Sequence, residues 1–329
     1  MKRKRMMALV LAGIMGVCTL TACQSSDGSS AESGSAESSS AESAGGDSET
    51  KTLGVAYCTL AEEFAVDLQK GIQDKAAELG FEISEVDYAL DLAKGNDEID
   101  NFINMDVDGM ILWPLDATAF AGASDKLAEA GIPIVTVDST IEENVSCFVT
   151  SDNKTGGVVS AEYAMEQLGD EGTVLVVTPG PGMTSQIDRC EGFFEVLEQY
   201  PNVKVIEQMD AGTQARAGYA QTVENALNAN PEIEMIFANC GDCALGALSV
   251  VEMYPEKYGD VKIVGYDATE EQIEAMKEGR QIICSYAQDP YGIGATAIEQ
   301  MQKILNGEEV ESDIRTEGGL VTHDNVDEY

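Results

Sequence analysis

Histidine is almost missing: a chain of 329 residues carries one, His323, close to the C-terminus. A His-based triad or a His-rich metal centre elsewhere in the chain is thereby excluded. Positive charge is also scarce, with 19 Lys and Arg against 59 Asp and Glu, for a formal charge of −40. That balance argues against a nucleic-acid partner, because phosphate affinity comes from clustered Lys and Arg. Acidity of this degree reads instead as solvated surface. Only one tryptophan occurs, Trp113. Two of the eight cysteines, Cys240 and Cys243, form a CxxC, but no second Cys pair or His stands at ligand spacing. A four-ligand zinc site would lack its ligands.

What is present begins with four basic residues, Lys2 to Arg5, followed by the apolar stretch Met6–Ala22. This is the pattern of a secretory signal peptide. The stretch is marginal for a retained membrane helix, which needs about 20 apolar residues. "LTAC" (Leu20–Cys23) is similar to the bacterial lipobox, in which the Cys thiol receives a diacylglyceryl group. Residues 1–22 are therefore expected to be a lipoprotein signal peptide and Cys23 the lipidation site. Loss of the four basic residues would take the mature chain from −40 to −44. Gln24–Glu49 is Ser, Ala, Glu and Gly with no bulky apolar residue. It has nothing to bury, so residues 23–51 read as a disordered tether spanning on the order of 30 Å.

The remaining length exceeds the usual size of a single core, so two lobes are expected. Short apolar runs alternate with helical patterns, the grammar of parallel α/β layers. Strand candidates in the first part are Thr52–Tyr57, Phe81–Asp87, Val107–Asp116 and Ile132–Ser139. Phe64, Leu68, Ile72, Ala76 and Leu79 mark one face of a helix stopped by Gly80, and a second helix is expected around Ala119–Ala130. The same grammar then repeats. Strands are expected at Gly172–Gly180, Val203–Asp210, Ile233–Asp242 and Val261–Ala268, with a helix over Arg189–Tyr200. Thr52 corresponds to Thr173, Met110 to Met235 and Asp138 to Asp267. Parallel open sheets bind ligands at the carboxyl ends of their strands, and those ends carry Trp113, Asp116, Asp138, Cys240, Asp242 and Asp267.

"FAVDLQKGIQDKAAELGF", "IPIVTVDS", "TSDNKTGG", "FANCGDCALGAL", "IVGYDAT" and "YAQDPYGIGATA" follow one another in order. In that order and spacing the chain resembles the ribose-binding-protein family of periplasmic sugar-binding proteins, the solute receptors of ABC importers, from about Thr52 onward. The resemblance implies two Rossmann-like lobes with parallel sheets joined by a three-strand hinge. An N-terminal lobe of residues 52–151 and 289–315 and a C-terminal lobe of residues 152–288 and 316–329 are expected. The crossings would lie near Ser151–Asp152, Gln288–Asp289 and Arg315–Glu317.

The resemblance also implies roles. Asp138 and Asp267 stand where the family accepts bonds from sugar hydroxyls, Asn153 and Gln288 match polar contacts near the crossovers, and Phe64 matches an aromatic that stacks on the ring. Carboxylates and amides suit hydroxyls, and an aromatic face suits the C–H side of a sugar. A single strand-end Asp reads more simply as a helix cap, but a pair at equivalent ends of facing sheets favours ligand binding. This chain departs from the family pattern at several places. Ser139 replaces an Arg, a second Arg position holds Ile187 with Arg189 two residues on, and Glu62, Trp113 and Cys240 replace Asn residues. Ala65 and Gln214 replace aromatics. Losing charge-assisted bonds of this kind puts ribose itself in doubt. The change suits another sugar or polyol, or an amine-bearing ligand drawn to carboxylates and an aromatic face. Trp113 reads either as pocket wall or as core beside Pro114.

CxxC at a helix N-terminus would favour a thiolate at Cys243 and hence redox chemistry. The other body thiols, Cys58, Cys147, Cys190 and Cys284, lie mostly in apolar runs, and Cys240 falls on a ligand position of the family. The pair is read as pocket wall. The expectation is a non-enzymatic, monomeric, membrane-anchored binding protein that uses no cofactor or metal and docks on permease subunits. A receptor feeding a sensor kinase or chemoreceptor, and a thiol oxidoreductase, are the rival readings. A lac-repressor-type regulator would need an N-terminal helix-turn-helix where the signal peptide stands.

Overall fold

The computed structural model describes residues 50–180, 182–210 and 215–329. The expected signal peptide, Cys23 and most of the tether lie outside these residues, as does Gln214. In chain order the first elements are β1 (Thr52–Tyr57), α1 (Glu63–Leu79), β2 (Glu82–Asp87), α2 (Leu92–Asn104), β3 (Gly109–Leu112), α3 (Ala121–Ala130), β4 (Ile134–Val137) and β5 (Val145–Ser151). Then come α4 (Asn153–Leu168), β6 (Glu171–Thr178), α5 (Thr184–Leu197), β7 (Asn202–Met209), α6 (Arg216–Ala229), β8 (Met235–Ala238) and α7 (Gly241–Met253). The chain continues through α8 (Pro255–Tyr258), β9 (Lys262–Asp267), α9 (Glu270–Lys277) and β10 (Ile282–Ala287). It closes with α10 (Pro290–Leu305), β11 (Asp313–Thr316) and β12 (Gly319–Thr322).

Two six-stranded sheets result, ordered β11-β5-β4-β3-β1-β2 and β12-β10-β9-β8-β6-β7. Every pairing in the first is parallel, and in the second only the edge strand β12 runs antiparallel, against β10. Buried strands such as β3, β4 and β8 are apolar at nearly every position because helices cover both faces. In α1, Phe64, Leu68, Ile72 and Ala76 are all buried, and Gly80 ends the helix in the left-handed region at φ 78°. The chain passes between the sheets after β5, after β10 and between β11 and β12, so three linkers join the two halves.

Two sequence expectations shift at their boundaries. The strand expected over Val107–Asp116 is only β3, because Pro114 has no N–H with which to extend a ladder. The helix expected from Arg189 begins at Thr184 and ends at Leu197. Arg189 is therefore inside α5, in its second turn, on a face shared with Ser185. Among the described residues no helix is long and apolar enough to cross a membrane.

Candidate functional site

Asp138 follows the last residue of β4, and Asp267 ends β9, each on its own sheet. Both are left-handed, at φ 57° and 79°, a conformation that costs a non-glycine residue about 1 kcal/mol or more. The same costly geometry at equivalent strand ends turns both carboxylates out of the ladder and into the space between the sheets. Neither caps the helix that follows it in sequence. Asp138 accepts from Trp113 Nε1 at 3.1 Å and from Ser185 Oγ at 2.9 Å. Asp267 accepts from the Gly241 backbone N–H at 2.6 Å, at the start of α7, and from Gln288 Nε2 at 2.6 Å. The capping alternative thus survives only in part: Asp267 serves a neighbouring helix with one oxygen.

Arg189 stands between them. Its guanidinium reaches Asp138 Oδ1 at 3.5 Å and Asp267 Oδ1 at 3.7 Å, and it lies 4.1 Å over the Tyr266 ring. It also donates to Asn153 Oδ1 at 2.8 Å and to the Asn239 carbonyl at 3.0 Å. The packing of α5 on α4 makes this reach possible. A Cβ at Gly157 would meet the Arg189 carbonyl oxygen at 2.0 Å, and one at Gly192 would meet the Lys154 carbonyl oxygen at 2.1 Å. Only glycine permits that approach.

The wall opposite is aromatic. Phe64 and Trp113 have ring centroids 5.3 Å apart at a tilt of 55°. Trp113 is buried and lines the cleft, so both readings of it hold together. Glu62, just before α1, completes this side. Its carboxylate has no hydrogen-bond or ion-pair partner among the described residues, and burial, with Asp267, Asp242 and Asp138 nearby, pushes its pKa up to about 8. Asp138 is also raised, first by burial, with Arg189 holding it down.

Of the nine expected ligand residues, Glu62, Phe64, Trp113, Asp138, Arg189, Cys240 and Asp267 line one cavity. Asn153 and Gln288 do not line it. Asn153 is buried behind Arg189, its amide donating to Thr150 Oγ1 and the Ser151 carbonyl. Gln288 stands behind Asp267, and its own amide oxygen is buried without a partner. Each orients a residue that faces the cavity. Leu90, Met183, Ser185 and Gln186 also line it and were not anticipated. A helix drawn from Thr184 instead of Arg189 would have put Ser185 and Arg189 on one face, four residues apart.

Cys240 precedes α7 and Cys243 lies in its first turn, yet both thiols are buried and their pKa values are pushed up by that burial. Desolvation outweighs the helix-terminus activation that the rival redox reading would need. Of the pair read as pocket wall, Cys240 lines the cavity and Cys243 lies in the core. All six described cysteines are unpaired and buried.

The cavity is small, at about 20 Å³, room for about one water. Its lips are held by bonds between the halves: Ser139 Oγ to Ser185 Oγ at 3.0 Å, Thr140 N–H to Thr184 Oγ1 at 3.1 Å, and Ala117 N–H to the Gly182 carbonyl at 3.0 Å. A ligand larger than water enters only if the halves part, which the three linkers permit.

Residues 53–309 match a family model described as a periplasmic binding protein domain. The ribose import binding protein RbsB of Haemophilus influenzae is 32% identical over 271 residues, 81% of this chain and 90% of that protein. An ABC transporter solute-binding protein of Bacillus halodurans, solved with myo-inositol bound, superposes with a TM-score of 0.79 at 32% identity, covering 86% of this chain and 98% of that one. Another from Mycobacterium smegmatis, solved with glycerol bound, gives 0.80 at 26% identity, covering 85% and 96%.

Proposed function

The chain belongs to the periplasmic binding protein domain family, and from that premise we propose that it is the substrate-binding component of an ABC importer, capturing a sugar or polyol between its two halves. The observation that carries this reading is the pair Asp138 and Asp267, both left-handed at equivalent strand ends and both aimed at Arg189. Hydroxyl groups need acceptors and donors in fixed directions, and this triad presents both. Phe64 and Trp113 offer the apolar face that the C–H side of a ring requires.

Closure would supply the signal. A ligand that bonds residues of both halves favours the closed arrangement by its differential affinity for it. The permease then needs only to read that arrangement. Family membership places the work outside the cytoplasm, and "LTAC" supports lipid attachment at Cys23 with residues 24–49 as tether. Members of the family bind solutes without transforming them; here Cys240 lines the cavity while Cys243 lies in the core and not in the wall, and burial pushes both thiols toward the neutral form.

The test is thermal unfolding of the full-length chain in detergent against ribose, myo-inositol, glycerol and a wider set of sugars and polyols. At a hundredfold excess over Kd a ligand stabilises the folded state by about 2.7 kcal/mol. For a body of this size that is about 5–10 °C. Asp138→Asn and Asp267→Asn keep side-chain size and should each remove most of the shift. An unchanged shift in both variants would sink the assignment.

A further inference from the structure

A second cavity, of about 80 Å³, abuts the first and shares Glu62, Phe64 and Asp267 with it. The charges around the two are lopsided. Glu62, Asp138 and Asp267 face one guanidinium in the first, while Glu63, Asp242 and Glu271 join the second with Arg216. Both cations are already engaged. Arg189 bridges Asp138 and Asp267, and Arg216 bonds Glu271 at 2.8 Å and Asp242 at 3.4 Å. Glu63 accepts the Glu270 N–H at 2.9 Å. Glu62 is left over. It stands on the wall common to both cavities, beside the Phe64 and Trp113 rings, with no partner among the described residues.

A neutral sugar does not resolve this arrangement, because closing over it leaves an enclosed carboxylate with hydroxyl contacts at most. A primary ammonium does. It brings three donors and one positive charge to an acceptor lacking both, and the rings beside it attract a cation through their faces. Resting on the reading of the cleft as a sugar or polyol site, we infer that its ligand is an amine-bearing one, an amino sugar or amino polyol, whose ammonium seats against Glu62 while its hydroxyls engage Asp138, Asp267 and Arg189.

The two ligand classes differ in their proton linkage. With a neutral ligand, closure carries Glu62 from the ordinary carboxylate range up to about 8, so a proton is taken up. Affinity then falls as pH climbs from about 5 to 8. An ammonium keeps Glu62 ionised, so closure needs no proton and affinity holds until the ligand's own amine titrates. The groups facing Glu62 are Asp267, Asp242, Asp138 and Arg189, with the thiols of Cys58 and Cys240 held neutral by burial.

The experiment is calorimetric titration of the full-length chain with matched sets at pH 5, 6.5 and 8. Each set holds a hydroxyl, an amine and an N-acetyl form of one ring, such as glucose, glucosamine and N-acetylglucosamine, or myo-inositol and its monoamino and acetamido analogues. The expected result is an amine member binding about 10- to 100-fold more tightly than its neutral counterparts. Glu62→Gln should erase that gap, and in the wild type the amine profile should stay flat between pH 5 and 6.5, where the ligand amine is protonated, while a neutral profile falls. Neutral members binding as tightly as amines, or a gap that survives Glu62→Gln, overturns the inference while the sugar-cleft reading stands. Failure of every member, neutral and amine, overturns both.

Discussion

Replacing Arg189 by Met tests the site at its centre. The guanidinium is buried and ion-pairs with Asp138 and Asp267, and it also makes the bonds to Asn153 and Asn239. Methionine fills similar space but leaves two enclosed carboxylates facing each other across the halves. Breaking one partner out of a buried ion pair costs about 3–5 kcal/mol. The lower end applies here, because Asp267 keeps Gly241 and Gln288 while Asp138 keeps Trp113 and Ser185. Opening the halves relieves the remaining repulsion, so the loss falls on the closed state and hence on ligand affinity. About 3 kcal/mol corresponds to a Kd weakened on the order of 100-fold at pH 7. Asp138 is already raised by burial and restrained by Arg189; without that restraint it rises further. A proton then substitutes for the lost cation, so affinity in the variant should recover as pH falls, a trend opposite to one driven by global acid unfolding. The assay is built in: Trp113 is the chain's one tryptophan, and its indole bonds Asp138 in the cleft, so its emission reports occupancy. A Kd within threefold of wild type at pH 7 refutes the reasoning.

Gly192→Ala forces a Cβ to within 2.1 Å of the Lys154 carbonyl oxygen and should push α5 off α4. The expected cost is about 1–3 kcal/mol, read as a melting point lower by roughly 2–12 °C, with weaker ligand binding as Arg189 shifts. Exchanging Cys240 and Cys243 together for Ser should leave affinity within a few-fold of wild type, since no thiolate is used; complete loss of binding would return CxxC to the centre of the site. Cys23→Ala should release the protein from membranes or leave the precursor uncleaved, checked by fractionation and intact mass.

The sequence shows those parts of the molecule whose cause is local. β1, β4 and β9 are legible because a strand buried on both faces must be a short apolar run. The large apolar residues of α1 repeat at the spacing of its buried face. α4 gives a weaker signal: apart from Asn153 and Met165 its buried residues are Gly156, Gly157, Ser160, Ala161 and Ala164, small residues that let Gly157 approach α5 and Gly156 approach Tyr266. Apolar periodicity hardly reveals a helix that packs mostly through small residues. The strand-end acids were visible for a different reason, as the same residue recurring at corresponding points of a repeated pattern.

What stayed hidden is what the approach of one half to the other decides. Asp138 meets Ser185 and Arg189, 47 and 51 residues later in the chain, through an approach that no local pattern encodes. Likeness to a family could therefore supply Asn153 and Gln288 as identities and still misplace their task. With Arg189 entering from the Ser185 face of α5, Asn153 is drawn behind the guanidinium and its amide oxygen becomes the guanidinium's support. Gln288 is spent in the same way on Asp267. Residues that the family resemblance assigns to the ligand here hold residues that line the cavity, and Glu62 lines it with no partner among the described residues.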